Sequence, residues 1–198
     1  MANYRSTIKT RGFLFIELKK AAALQLQGFT PSDIKNKVIT ENIFLFKTIN
    51  RRKEIAATVL ERLKMLDDFL CEKLIGNNLE TGKMIALYSI IKTDRLFFEY
   101  MQELFRKKLL LRDYIILDSD FNAFFQQKIE QSRQLAAWTD YTFCKLSQVY
   151  KKILLDAGLA KRGKGGLVIR QIFIEPDLCR HIVGIGDGLY LKAMQGEF

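Results

Sequence analysis

The chain has 198 residues, 48% of them hydrophobic, and a formal net charge of +10 at pH 7. A chain of this length and hydrophobic content can bury a core, which excludes an intrinsically disordered protein. The positive charge favours an anionic partner. Residues 1–99 have a net charge of +6 and residues 100–198 one of +4, so the basic residues are spread along the chain and any basic surface must be assembled by folding.

The first part of the chain is predicted to be helical. Apolar residues recur at helical spacing over residues 12–27, and Gly28 is a typical C-cap of such a helix. Thr30 has the position of an N-cap before a proline in the first turn, which predicts a short helix over residues 31–38. After a turn, an amphipathic helix is predicted from about Asn50. The last two helices form a candidate helix-turn-helix.

The second part is predicted to contain further helices and one strand. Helices are predicted at residues 81–92, 94–111, 118–132 and 139–157. A basic, glycine-rich turn follows the last of them, and the largely apolar run of residues 167–174, closed by Pro176, predicts a β-strand. A short helix from Asp177 and an irregular, glycine-rich segment complete the prediction. The order helix, turn, helix, basic turn and strand is that of a candidate winged helix.

The predicted fold is therefore mainly α, a helical bundle with helix-turn-helix or winged-helix character and a small β wing near the C-terminus. Residues 1–75 are predicted as an N-terminal helical region with the candidate helix-turn-helix. Residues 76–198 are predicted as a C-terminal helical region with the candidate winged helix. The sequence contains no low-complexity linker, which predicts one compact unit.

The cysteines and the hydrophobic pattern predict a cytoplasmic protein. Cys71, Cys144 and Cys179 lie far apart in the sequence, which favours reduced thiols over a disulfide framework. The first residues contain no long apolar segment of the kind that a secretory signal needs. Hydrophobic stretches such as residues 84–91 are much shorter than the roughly 20 residues of a membrane span. We therefore expect neither secretion nor a membrane anchor.

No segment has the pattern of a nucleotide-hydrolysing site. Residues 158–165 approach the spacing of a phosphate-binding loop, but Gly165 stands where a Ser or Thr would bind magnesium. The predicted loop also runs from a helix to a strand, so no helix N-terminus faces the phosphate. We therefore expect no nucleotide hydrolysis.

The ionisable residues lead to the same expectation. His181 is the only histidine, which leaves no imidazole pair for a metal site or a proton relay. The acidic residues 67–68 and 118–120 stand where helix N-termini favour carboxylates. The sequence thus predicts a non-enzymatic protein with no metal site and no cofactor.

Two segments have the composition of a nucleic-acid-binding surface. The first is the start of the helix predicted from about residue 50, where Asn and Arg side chains suit base edges and backbone amides suit phosphate. A positive cluster at a helix N-terminus opposes the helix dipole, which slightly favours a functional role over an ordinary solvated cluster. Its candidate DNA-binding residues are Lys47, Thr48, Asn50, Arg51, Arg52 and Lys53.

The second segment covers the last long helix and the basic turn. Between Lys145 and Arg170 there are seven basic residues and one acidic residue, Asp156. A helix in the major groove with a basic loop on the phosphates would use this arrangement. An ordinary solvated helix followed by a basic turn explains it equally well. The candidate DNA-binding residues here are Lys145, Lys152, Lys161, Arg162 and Lys164.

Most of the chain resembles the BrxA family, the small A component of bacteriophage-exclusion (BREX) defence systems. The residues that carry the resemblance are 12–17, 43–63, 88–109 and 138–159. The resemblance implies a small, mainly helical accessory protein with winged-helix character that binds double-stranded DNA and supports protection against phage. It assigns no site residues.

The predicted function is that of a non-enzymatic double-stranded DNA-binding accessory protein of a BREX system. One alternative is an RNA-binding helical module, because some members of the family resemble helical RNA-binding antitermination factors. The other is a protein-interaction scaffold whose charge serves solubility or an acidic partner. Duplex DNA is the expected partner, and other BREX components are further candidates.

Overall fold

The structure, a computed structural model, describes residues 3–76 and 78–196. The described residues form two compact units, one of residues 13–93 and one of residues 3–12 and 94–196. The fold is mainly α, as predicted, with a small antiparallel sheet in the second unit. The sequence placed a boundary after residue 75, whereas the helix that follows this position belongs to the first unit.

The first unit is a helical bundle. Its helices are α1 (Phe15–Leu26), α2 (Pro31–Asn36), α3 (Ile49–Leu63), α4 (Asp68–Ile75) and α5 (Leu79–Thr93), and a π-helical segment (Lys37–Glu41) continues α2. Thr30 begins α2 as predicted, since its hydroxyl accepts a hydrogen bond from the Asp33 amide at 3.2 Å and its own amide donates to the Asp33 carboxylate. α1 packs on α3, α4 and α5.

The core of the first unit surrounds α5. Every side chain from residue 84 to residue 91 is buried, so this helix shows no polar stripe. Gly82 allows α1 to approach closely, because a Cβ at this position would lie 3.2 Å from the Phe15 ring. Arg62 is buried as well, and its guanidinium donates to the Phe13 carbonyl at 2.9 Å. The buried charge therefore holds the chain just before α1.

The second unit combines helices with the sheet. A continuous helix runs over residues 95–110, and it consists of α6 (Arg95–Tyr100), a π-helical segment (Met101–Phe105) and α7 (Arg106–Leu110). The remaining elements are β1 (Ile115–Ile116), α8 (Asp118–Gln131), α9 (Arg133–Ala136), α10 (Asp140–Ala157), β2 (Ala160–Gly163), β3 (Gly166–Ile169), α11 (Pro176–Gly184) and α12 (Gly188–Gln195). A 3₁₀ turn (Thr7–Thr10) packs on α10.

The sheet has the strand order β1-β3-β2 with antiparallel pairs. β2 and β3 form a hairpin with Gly163 opposite Gly166, joined by Lys164 and by Gly165, which has a φ of +81°. A Cβ on Gly166 would lie 2.4 Å from the Ile116 carbonyl oxygen. A glycine at this position is therefore what lets β1 lie against the hairpin.

The second unit runs from the helix over residues 95–110 through β1, α8, α9 and α10 to the hairpin, and α11 and α12 follow. This order is compatible with a winged helix. Aromatic side chains fill the space beneath α10. The Tyr150 ring lies 4.8 Å from Phe97, 5.2 Å from Tyr100 and 5.9 Å from Phe125 between centroids. This packing fixes the inner face of α10, and its opposite face is left to solvent.

Several predicted boundaries are corrected by the structure. The strand predicted for residues 167–174 ends at Ile169, which pairs with Ala160, the first residue of β2. One more backbone hydrogen bond, from the Arg170 amide to the Leu159 carbonyl at 2.8 Å, follows this pair. The segment predicted as irregular, residues 184–188, is followed by α12, which the sequence did not predict and whose Leu191 and Met194 are buried. The sequence also did not predict α4, α9 or β1.

Candidate nucleic-acid interface

The first candidate surface is the α3 start, defined as residues 47–53. Thr48 caps the helix, since its hydroxyl accepts a hydrogen bond from the Arg51 amide at 3.2 Å. The side chains of Lys47, Asn50 and Lys53 are exposed. The capped end of α3 therefore presents an exposed amide and two exposed ammonium groups.

The two arginines of the α3 start are engaged within the protein. The Arg52 guanidinium donates from Nε to the Phe46 carbonyl at 3.0 Å and from a terminal nitrogen to the Ile39 carbonyl at 3.1 Å. Arg51 forms an ion pair with Glu54 at 3.2 Å. Arg52 thus closes the turn before α3, and Lys47 and Lys53 are the exposed basic side chains of this surface.

The second candidate surface, here called the hairpin surface, consists of Lys161, Arg162 and Lys164. The first two lie on β2, opposite Val168 and Leu167 of β3, and the third lies in the turn. All three side chains are exposed. β2 pairs with β3 on one side only, so its basic residues stand on an edge strand, where charge prevents pairing with another sheet. The same charges are accessible to a polyanion.

The exposed face of α10 adds a second group of polar side chains in the same unit. Tyr141, Lys145, Gln148 and Lys152 follow at helical spacing and lie on one face. The Lys145 ammonium donates to the Gln148 side-chain oxygen at 3.3 Å and lies 5.4 Å from the centre of the Tyr141 ring. The face therefore combines positive charge, an amide and an aromatic ring.

Tyr141 is a candidate residue that the sequence analysis did not select. It is 66% exposed, whereas the other tyrosines of α10 and of the helix over residues 95–110 are buried. The available signal was its spacing of four residues from Lys145, which places both side chains on the same face. Exposed aromatic rings of this kind stack on bases or pack on sugars in nucleic-acid complexes.

The acidic residues highlighted in the sequence have structural roles. The Asp67 carboxylate caps α4 by accepting a hydrogen bond from the Leu70 amide at 2.9 Å. Asp118 forms an ion pair with Lys151 at 2.5 Å, beside an open groove of about 470 Å³ between α8 and α10. The Asp120 carboxylate accepts a hydrogen bond from the Leu117 amide and forms an ion pair with Lys108. Asp118 and Asp120 thus lie in the first turn of α8, where the sequence predicted a helix start, whereas Asp67 begins α4, which it did not predict.

Two further observations bear on the kind of protein. Within residues 3–76 and 78–196, no group of three or more His, Cys, Asp or Glu side chains has a metal-binding arrangement. In the same part of the chain, no helix combines the length and the apolar character needed to cross a bilayer. The fold and the two basic surfaces thus define a mainly helical, basic protein with a small antiparallel sheet.

Comparison with known proteins gives the family. The family model described as BrxA matches residues 2–185. A curated relative from Bacillus cereus (strain H3081.97), named BREX protein BrxA, is 47% identical over 194 residues, which cover 98% of this chain and 97% of the relative. The chain belongs to the BrxA family of BREX proteins. The family resemblance of the sequence is confirmed.

A solved structure gives independent support for the fold. The crystal structure of an uncharacterized protein from Magnetospirillum magneticum aligns with a TM-score of 0.84 and covers 99% of this chain and 100% of its own. Its sequence identity to this chain is 17%. At this identity the likeness concerns the arrangement of helices and sheet and carries no site residues.

Proposed function

We propose that this protein is a non-enzymatic component of a BREX phage-defence system that binds double-stranded DNA, chiefly through phosphate contacts. The observation that carries the proposal is the hairpin surface, with Lys161, Arg162 and Lys164 all exposed and no carboxylate among residues 157–174. Positive side chains on a short, glycine-flanked hairpin suit a phosphate backbone, which needs charge more than exact geometry.

The element order of the second unit supports the same proposal. A helix with an exposed polar face, α10, is followed directly by the basic hairpin. In a helix-turn-helix protein the recognition helix enters the major groove, and a neighbouring element contacts the backbone. Gln148 and Lys145 of α10 suit base edges, whereas the hairpin suits phosphates. Binding of duplex DNA therefore explains both the exposed polar face of α10 and the basic hairpin.

The cellular setting follows from family membership and from the thiols. We propose that other BREX components are partners of this protein, because the relative from Bacillus cereus is named a BREX protein. Cys71, Cys144 and Cys179 are free thiols in the structure, which supports action in the reducing cytoplasm.

Removing the charge of the hairpin surface is expected to weaken DNA binding about tenfold or more at moderate salt. The variant combines Lys161→Ala, Arg162→Ala and Lys164→Ala, and all three positions are exposed, so the fold should survive. Each lost phosphate contact should also lower the slope of log affinity against log salt by about 0.9. Fluorescence anisotropy with a labelled duplex of arbitrary sequence, titrated at several salt concentrations, measures both quantities.

A matched control removes equal charge elsewhere in the same unit. Lys107→Ala with Arg133→Ala and Arg180→Ala changes three exposed basic residues of α7, α9 and α11. The control should keep most of the affinity. An equal loss of affinity in both variants would show that the hairpin contributes only through the net charge of the protein. A wild-type affinity that does not change with salt would contradict the proposal. A structured RNA as competitor distinguishes duplex DNA from the RNA alternative.

The purified protein is expected to hydrolyse neither ATP nor DNA, with or without magnesium. The turn around Lys164 belongs to a β-hairpin, and its neighbours Gly163 and Gly165 offer no hydroxyl to a metal ion. Phosphate release and cleavage of a supercoiled plasmid measure the two activities. Turnover in the wild type that disappears in Lys164→Ala would show a catalytic loop and would replace the non-enzymatic assignment.

A further inference from the structure

The loop between α2 and α3 presents an apolar side chain to solvent. Leu45 is 80% exposed, the largest exposed fraction among the exposed large hydrophobic residues described. Its φ is +60°, in the left-handed region that Gly and Asn adopt far more readily than Leu. Neither burial nor backbone preference therefore explains a leucine at this position.

The loop around Leu45 is held in place. The Asn42 carbonyl accepts a hydrogen bond from the Leu45 amide at 2.8 Å, and the Asn42 side chain accepts one from the Phe46 amide at 2.9 Å. Arg52 holds the Phe46 carbonyl at 3.0 Å, and the neighbouring Phe44 is buried. Because the residues on both sides of Leu45 are anchored, the folded loop itself keeps this side chain exposed.

The loop around Leu45 has a net positive charge. Residues 41–54 contain four basic and two acidic side chains, Lys47 and Lys53 are exposed, and Glu41 and Glu54 form ion pairs with Lys37 and Arg51. Lys20 of α1 also reaches this loop, since its ammonium donates to the Ile43 carbonyl at 2.9 Å. Ile49, at the first position of α3, is 56% exposed. An apolar projection flanked by ammonium groups is complementary to stacked bases between two phosphate backbones.

We propose that Leu45 is a wedge that enters a base step of duplex DNA. This inference rests on the proposed DNA binding and adds a second contact to it, at the α3 start. Proteins that bend DNA insert Leu, Ile, Phe or Met between base pairs and partly unstack them. In this arrangement Lys47 and Lys53 contact the flanking phosphates. Pyrimidine–purine steps are the preferred sites, because they unstack most easily.

The test compares Leu45→Ala and Leu45→Asn with the wild type on a duplex that carries the fluorescent base 2-aminopurine in a TA-rich segment. Asparagine tolerates the left-handed backbone, so this variant keeps the loop while removing the apolar side chain. Wild-type protein at saturation should raise the 2-aminopurine fluorescence through unstacking, and both variants should lose this rise. Affinity should fall about threefold to tenfold, with an unchanged salt slope because no charge is lost.

The control is Leu79→Ala, which removes a 56% exposed leucine from the start of α5 in the same unit. It should behave as the wild type. If the wild type binds the duplex with salt-dependent affinity but neither unstacks it nor differs from Leu45→Ala, the wedge is wrong and the proposed function stands. If the wild type binds no duplex at all, both fail. Loss of a protein partner in Leu45→Ala, with DNA binding and unstacking unchanged, would assign the loop to that partner instead.

Discussion

Replacing Tyr150 by alanine is expected to lower the free energy of unfolding by about 3–5 kcal/mol, the usual cost of emptying the site of a large buried aromatic side chain. Tyr150 is fully buried, and its ring contacts Phe97, Tyr100 and Phe125 at centroid distances of 4.8 to 5.9 Å. These neighbours come from the helix over residues 95–110 and from α8. The substitution therefore opens a cavity where both elements meet α10.

The matched control is Tyr150→Phe, which keeps the ring and removes the hydroxyl. The hydroxyl is buried without a hydrogen-bond partner among the described residues, and burial raises the pKa of Tyr150 well above its usual value. Removing an unpaired buried hydroxyl should leave stability unchanged or raise it by about 1 kcal/mol. Urea unfolding followed by circular dichroism measures both variants. An equal loss in both would show that the hydroxyl, rather than the ring, holds the core.

The parts of the fold that local chemistry determines were predictable. Thr139 begins α10 with its hydroxyl accepting a hydrogen bond from the Thr142 amide, and Gly158 ends it with a φ of +84°. Both are readable from residue type and spacing, because caps act within a few residues of the helix end. The same holds for Thr30, which caps α2 as predicted. Thr48, which caps α3, was predicted only as a DNA-binding residue.

Elements that depend on distant partners were not predictable in this way. β1 has two residues and exists through its pairing with β3, about fifty positions later in the chain. α12 follows a glycine-rich segment, and its buried residues pack against the helix over residues 95–110. Such contacts leave no local period in the sequence, since only the folded chain brings the partners together.

The candidate sites show the same division. Counting charges predicted the exposed lysines 47, 53, 161 and 164, because lysine is seldom buried. Counting could not reveal that Arg52 donates to two backbone carbonyls, nor that Leu45 is presented on an anchored loop. Both facts depend on the backbone of the turn before α3. The sequence thus identified the charge of this surface but not its shape.

The two candidate surfaces suit different parts of a duplex. The hairpin surface offers charge on an exposed edge strand, which suits phosphates at any sequence. The α3 start offers an asparagine and two exposed lysines, and the loop just before it offers the apolar Leu45; these side chains suit base edges and easily unstacked steps. Variants of the first should alter the salt dependence, and variants of Leu45 should alter the DNA conformation. These readouts keep the contributions of the two units separate.

Removing the charge of Lys128 is expected to lower the free energy of unfolding by about 2–3 kcal/mol, because it leaves two carboxylates without their buried partner. The Lys128 ammonium on α8 lies 2.9 Å from Glu99 and 2.5 Å from Glu103, and its side chain is 5% exposed. Glu99 also contacts Arg95 at 2.8 Å and keeps this partner, which reduces the expected loss. Lys128→Met preserves most of the volume. Lys37→Met, in the exposed pair with Glu41, should cost about 0.5 kcal/mol or less.

The pH dependence separates the charge of Lys128 from its packing. Burial raises the pKa of Glu99, but hydrogen bonds from Lys128 and Arg95 outweigh it and hold the pKa below its usual 4.5. Burial lowers the pKa of Lys128, and Glu103 and Glu99 more than compensate, so this pKa is raised above its usual 10.5. The stabilisation by the ion pair of Lys128 and Glu99 is therefore fully present between the usual pKa values of 4.5 and 10.5. It is lost as the pH falls below 4.5, towards the folded pKa of Glu99.

Urea unfolding of the wild type and of Lys128→Met at neutral pH and at about pH 3 measures this dependence. The difference in stability should be largest at neutral pH and should shrink in acid, where protonated carboxyl groups no longer need the ammonium. Glu99→Gln should show a weaker acid dependence than the wild type. A difference that stays the same at both pH values would assign the loss to the buried aliphatic part of the Lys128 side chain rather than to its charge.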